Sequence, residues 1–249
     1  MLDRNPLTLY NEDTRYRFRP PPTAERNTIF HPDTYIAALT EKLRAAFGDR
    51  LVYIGLQGSY LRGEATETSD IDVMVVLRRM TPADLSAYRR AIEELPDAEK
   101  SCGFICGAEE LRHWNPLEIC HLLHTTRDCF GKLAPLVPAY TAEDVRTFIK
   151  LSLGNLYHEL CHRRIHAARA ENIAALPQSC KAVFFILQNL HYLRSGCFVA
   201  TKQSLLWALT GQDREVLEMS MTLPSAETYD FDAAFDLLFT WCQRTMTTL

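Results

Sequence analysis

The sequence has no apolar run long enough to cross a bilayer, which excludes a helical membrane span. It also has no excess of positive charge. Lys and Arg number 27 against 31 Asp and Glu, for a formal net charge of -4. Chains that grip a long polyanion or an anionic lipid surface are ordinarily basic, so neither nucleic acid nor a membrane is expected as a partner. The cysteines include no Cys-x-x-Cys pair, which removes a zinc ribbon. Met1 to Asn5 lack the apolar segment of a secretory signal. The 8 cysteines are therefore expected in a reducing cytoplasm, most of them as free thiols in the core. Internal repeats and low-complexity tracts are absent, and no feature sets an oligomeric state.

What is present is an ordinary globular balance, 47% hydrophobic and 23% charged, over 249 residues, enough for one large domain or two modest ones. Residues 1–30 are polar and proline-rich around Pro20-Pro21-Pro22 and read as an irregular extension. Asp33, after Pro32, is placed to cap a helix carrying Ile36, Leu39, Leu43 and Phe47, which Gly48 ends. Leu51 to Leu56 and Ile71 to Leu77 read as buried strands. Thr81-Pro82-Ala83-Asp84 opens a helix running to about Leu95, and Lys100 to Cys106 is a third short strand.

The second half is helical in pattern. Val145, Phe148, Ile149, Leu153, Leu156 and Leu160 form one stripe, and Lys181 to Arg194 is apolar almost all round, as a central helix would be. Ser204 to Leu209 and Ala233 to Gln243 supply two more helices. A linker is expected around Gly131 to Thr141, where Pro135 and Pro138 fall. The fold class is α+β. A small mixed sheet with flanking helices over 31–135 is followed by a helical bundle over 136–249.

One stretch carries chemistry: Gly58-Ser59-Tyr60-Leu61-Arg62-Gly63-Glu64-Ala65-Thr66-Glu67-Thr68-Ser69-Asp70-Ile71-Asp72. A Gly-Ser pair leaving a buried strand predicts a tight turn with outward backbone N–H groups and a hydroxyl, able to cradle phosphate oxygens. Asp70 and Asp72 are two apart, so strand alternation sends both carboxylates to one side while Ile71 and Val73 enter the core. Two like charges held together are costly unless a cation joins them. Hard oxygen donors beside a phosphate-binding turn suit Mg²⁺, and paired metals can stabilise the attacking and leaving oxygens at phosphorus.

Gly-Ser, ten residues, then Asp-x-Asp in an apolar strand resembles the signature of the polymerase β-like nucleotidyltransferases. The Arg62-Gly63-Glu64-Ala65 and Ser69-Asp70-Ile71-Asp72 wording resembles the aminoglycoside nucleotidyltransferases and related bacterial proteins. The likeness is strongest over 51–77. It continues weakly into the second half, where Arg194-Ser195-Gly196 with Lys202 and Trp207 resembles the helical segment of the streptomycin/spectinomycin members.

The resemblance implies an enzyme that moves a nucleoside monophosphate, AMP from ATP by default, onto an acceptor hydroxyl and releases pyrophosphate. It implies Mg²⁺ on Asp70 and Asp72, phosphate contacts from Gly58, Ser59, Arg62, Ser69 and Lys202, and a small-molecule acceptor the sequence does not name. The superfamily carries a third carboxylate on the strand after the Asp-x-Asp pair, as metal ligand or general base. Here that strand, Glu99-Lys100-Ser101-Cys102-Gly103-Phe104-Ile105-Cys106, has no acid at its centre. The role falls to Glu99, with Asp128 in reserve. A chain without that acid could instead be a nucleotide-binding or antitoxin-like regulatory module.

His158-Glu159-Leu160-Cys161-His162 also matches His-Glu-x-x-His, the zinc hydrolase pattern, with His166 one turn further on. No third ligand stands at a recognised spacing, and Arg163-Arg164 would put cations beside a metal. Partly buried or surface histidines are the expectation, with Glu159 a further candidate for the missing base.

Overall fold

A computed structural model describes residues 30–249, so the expected extension over 1–30 lies outside the described residues except for Phe30. The chain divides into two compact units. The first comprises the described part of Met1–Asn115 together with Thr125–Ala139, and the second Pro116–His124 together with Tyr140–Leu249.

In the first unit α1 (Pro32–Phe47) starts from His31, not Asp33. Pro32 occupies the first turn, where its missing N–H costs nothing, and the Asp33 carboxylate pairs with Arg127 instead of capping. Four strands follow: β1 (Leu51–Leu56), β2 (Ile71–Leu77), β3 (Ser101–Gly107) and β4 (Arg127–Phe130). They lie in the order β3-β2-β1-β4. β2 runs antiparallel to β1 and parallel to β3, and β4 runs antiparallel to β1. A parallel neighbour demands a crossover, which α3 (Pro82–Glu93) supplies between β2 and β3. Two short helices complete the unit, α2 (Gly58–Arg62) and α4 (Ala108–Arg112).

The alternation of β2 sorts its side chains. Ile71, Val73, Val75 and Leu77 join Leu51, Ile54 and Leu56 of β1 in one core beneath α1. Gly103 lets β3 come close to β2. Its φ is 117°, and a Cβ there would run into the Val73 backbone.

The second unit holds α5 (Pro116–His124), α6 (Ala142–His166), α7 (Arg169–Ser179), α8 (Lys181–Ser195), α9 (Lys202–Ala208), α10 (Gly211–Thr222) and α11 (Phe231–Thr248). α5 comes from between β3 and β4 in sequence, yet it packs on α6, so the first unit is discontinuous in the chain. Thr141 and Asp144 form a capping box at the start of α6. The stripe from Val145 to Leu160 is buried as its spacing predicts, and α8 buries Val183, Phe184, Ile186, Leu187 and Leu190. Asp213, nearly buried, ties three elements together: it accepts from Trp241 Nε1 at 2.9 Å and Arg194 at 2.9 Å, and pairs with Arg244. No helix among the described residues is long and apolar enough to cross a membrane.

The first unit has a similar anchor at the start of α3. The buried Asp84 carboxylate accepts from the Thr81 N–H at 2.8 Å and from Arg50 at 2.9 and 3.1 Å. The Arg50 hydrogen bonds, with those from Thr81 behind them, hold its pKa down at about 2 against an ordinary 3.8. A depressed carboxyl contributes stability above its ordinary pKa and loses it as pH falls towards the depressed one. Asp84→Asn is therefore expected to melt at a lower temperature than the parent at neutral pH. The gap should close between pH about 4 and about 2 in a thermal unfolding series.

Candidate active site

The loop from β1 to β2 and the two strand ends bring the motif together. Leu56 pairs with Val73, and beyond that pair the Gln57 N–H donates to the Asp72 carbonyl at 2.9 Å. Gln57 then precedes α2, so the Gly-Ser pair opens a helix of 5 residues rather than a bare turn. Gly58 adopts φ +71°, the left-handed region that favours glycine. A Cβ at this position would collide with the Asp72 carboxylate. The Asp72 side chain therefore rests directly against Gly58.

Asp70 sits one residue before β2 and Asp72 within it, both half-buried, on either side of the fully buried Ile71. The alternation expected from the sequence holds, with the first carboxylate on the strand's threshold. Across the sheet on the Asp72 face lies a polar row. Cys102 is the register partner of Asp72 on β3, and its thiol donates to the Asp72 carboxylate. On the other side Gln57 Nε2 donates to Thr126 Oγ1 at 2.8 Å. Burial first, then the Asp72 charge, push the Cys102 thiol up to about 11, so it stays protonated at neutral pH.

The remaining predicted residues are placed as follows. Arg62 ends α2 and its Nε donates to Glu64 Oε2 at 2.8 Å, both side chains mostly covered. The Ser69 hydroxyl accepts from the Thr66 N–H at 2.8 Å and closes the 66–69 turn. Glu99 is exposed, on a single helical turn (Ala98–Lys100) ahead of β3. Asp128 is on β4, opposite Gly55, two strands from Asp72 and so roughly 10 Å away laterally. There it accepts from the Tyr53 hydroxyl at 2.9 Å and faces Lys132 at 3.3 Å, an anchoring arrangement. Lys202 lies in the second unit, first in α9, with Nζ 5.8 Å from the centre of the Phe184 ring.

Sequence reasoning missed Cys102, Gln57, Tyr60 and Lys100. Lys100 Nζ donates to the Glu67 carbonyl at 2.7 Å and stands over the Phe30 ring, which in turn meets Tyr60 at 5.0 Å. These contacts brace the motif loop from the β3 side. Only the strand register could have singled out Cys102, and register is not written locally.

Among the described residues no group of three or more His, Cys, Asp or Glu is arranged to hold a metal ion. Asp70 and Asp72 are thus two protein donors without a third. That fits Mg²⁺, which keeps waters and takes substrate phosphates to complete its shell, and does not fit an all-protein cage. In the zinc hydrolase reading, His158 and His162 likewise lack a third such ligand among the described residues. Glu159, its required base, accepts from Ser179 Oγ at 2.7 Å and from Arg163 Nε at 3.2 Å.

Residues 37–104 match the family model of the nucleotidyltransferase domain. The fold is similar to that of a spectinomycin adenyltransferase from Enterococcus faecialis solved with ATP and spectinomycin. The TM-score is 0.53 at 14% identity, covering 86% of this chain and 98% of that one. No curated protein matches the sequence. The family match falls within the first unit, and the fold is similar to that of an adenyltransferase.

Cys102 offers a direct reading of this geometry. Cys129 and Cys197 are exposed and are expected to alkylate readily at mildly alkaline pH, while Cys102 stays slow. Asp72→Asn removes the neighbouring charge and should speed Cys102 labelling severalfold, as followed by peptide mass spectrometry. An unchanged rate would mean that the two side chains do not touch.

Proposed function

From a nucleotidyltransferase domain as premise, we propose that the chain transfers a nucleoside monophosphate, AMP from ATP, to a hydroxyl of a small-molecule acceptor and releases pyrophosphate. The observation that carries this reading is the contact of the Asp72 carboxylate with Gly58 at the start of α2. A phosphate held by the first N–H groups of that helix lies beside both carboxylates. Asp70 and Asp72 would hold Mg²⁺, which when bound neutralises charge on the triphosphate oxygens. Gly58 and Ser59 bind phosphate through backbone and hydroxyl. Arg62 can reach a phosphate by exchanging Glu64 for it, and Ser69 keeps the loop before Asp70 closed.

The acceptor proton needs a base. Cys102 occupies the position beside Asp72 but is held protonated, which disqualifies it. Glu99, exposed at the entrance to β3, is the proposed base. Catalysis on this scheme is positioning and electrostatics, with little covalent work for the protein. The arginines of the second unit support a small acceptor over a polyanion. Arg164 and Arg169 share Asp232, Arg163 pairs with Glu159, and Arg194 and Arg244 share Asp213, so each is engaged within the unit, and the chain's formal net charge is -4.

A second reading has its own observation, the thiol standing beside Asp72. It is a nucleotide-binding module without transfer activity. Pyrophosphate release from Mg²⁺ and ATP, measured across a panel of hydroxyl acceptors, separates the two. Release with any acceptor supports the enzyme, and binding by calorimetry with no release supports the module.

For the enzyme, Asp70→Asn and Asp72→Asn are each expected to lower transfer at least about a hundredfold without lowering the melting temperature. Wild-type turnover in both would refute the site. Gly58→Ala, strained at its φ and crowded against Asp72, should weaken ATP binding at least about tenfold in the same calorimetry. Glu99→Gln should lower turnover while leaving ATP affinity unchanged.

A further inference from the structure

The last turns of α6 carry a second cluster that the proposed reaction does not use. His158, His162 and His166 recur every four residues on the exposed face, away from the buried Leu153, Leu156 and Leu160. With Glu159, Arg163 and Glu171 they line a groove of about 510 Å³. The His158 and His162 rings are 6.0 Å apart between centres, and the His162 and His166 rings 4.9 Å.

The groove's other polar groups are already engaged. Glu159 takes hydrogen bonds from Ser179 and Arg163, and Glu171 accepts from the Ala168 N–H at 3.3 Å. The cations that would oppose a metal are matched as well. Arg163 is paired with Glu159, while Arg164 faces Asp232 and lies over the Phe231 and Phe235 rings. The nitrogen donors left to a ligand in the groove are the imidazoles. Those are donors for Cu²⁺, Ni²⁺ or Zn²⁺, not for Mg²⁺ or Ca²⁺.

Spacing decides which pair can act. A metal–nitrogen bond of about 2.0–2.1 Å puts each ring centre roughly 3.2 Å from the ion. Two imidazoles at about 90–105° then have centres about 4.5–5 Å apart. The His162–His166 pair meets that condition as it stands, and the His158–His162 pair is too wide. We propose that His162 and His166 form a chelating site for a divalent transition ion, with copper(II) bound most tightly and water completing the shell. Two protein ligands make it a binding site without the third ligand or unencumbered carboxylate that hydrolysis requires. An ion there clips two successive turns near the end of α6, where positive charge is favoured by the helix dipole.

The test uses the full chain without a polyhistidine tag, titrated with CuCl₂ by calorimetry and followed by electron paramagnetic resonance. The expected result is one ion per chain with nitrogen hyperfine structure, and a higher melting temperature with Ni²⁺ or Zn²⁺. His162→Ala and His166→Ala should each weaken binding at least about tenfold, and His113→Ala, in the first unit, should leave it unchanged. Copper bound only through oxygen would place the ion at the Asp70–Asp72 pair and overturn the proposal. So would a His162→Ala/His166→Ala double variant that binds copper like the parent, or a parent that binds none.

Discussion

The pairing of β1 with β2 is the constraint on which the candidate site depends. It sets Leu56 against Val73, and so brings Gln57, just after the one, and Asp72, just before the other, into backbone contact. From that single register come the Asp72 carboxylate against Gly58 and the Asp70–Asp72 pair at the half-buried start of a core strand. A slip of one residue would reverse every side chain of β2, driving both carboxylates into the core and Ile71 and Val73 to the half-buried positions the carboxylates hold. The apolar face of β2, fully buried beneath α1, opposes that slip strongly.

The two faces of the sheet divide the work. One is apolar and anchors the strands. The other carries the row from Cys102 through Asp72 and Gln57 to Thr126, each side chain meeting a polar neighbour. Gly55 serves the same close packing. A side chain there would collide with Tyr53 and Thr126, and its absence lets the Tyr53 hydroxyl cross to Asp128. Asp128 Oδ1 thereby helps hold β4 on the sheet.

Much of this is legible in the sequence because it is governed by local periodicity. The alternation around Asp70 and Asp72, the α6 stripe and the buried character of α8 are all read from residues a few positions apart. What escapes is long-range. β4 is four residues long and mostly exposed, so no apolar pattern marks it, and only its pairing with β1 makes it a strand. α5 interrupts the first unit in sequence because its partner is α6, a tertiary choice. The Gly-Ser pair is recognisable but its conformation is not, since one turn of helix and a tight turn share the same residues. Cys102 reads like any core cysteine until the parallel register sets it beside Asp72.

That register also bears on how the site treats its substrate. A carboxylate beside Asp72 would add a third like charge to a pair already in repulsion, and it would demand a cation strongly even without nucleotide. A protonated thiol adds no charge and donates to Asp72, which eases the repulsion in the nucleotide-free state. The pair is then held with less need for a cation. A thiol at this place supplies neither a hard oxygen ligand nor a base at neutral pH. Cys102 thus steadies the Asp72 carboxylate without adding a third charge.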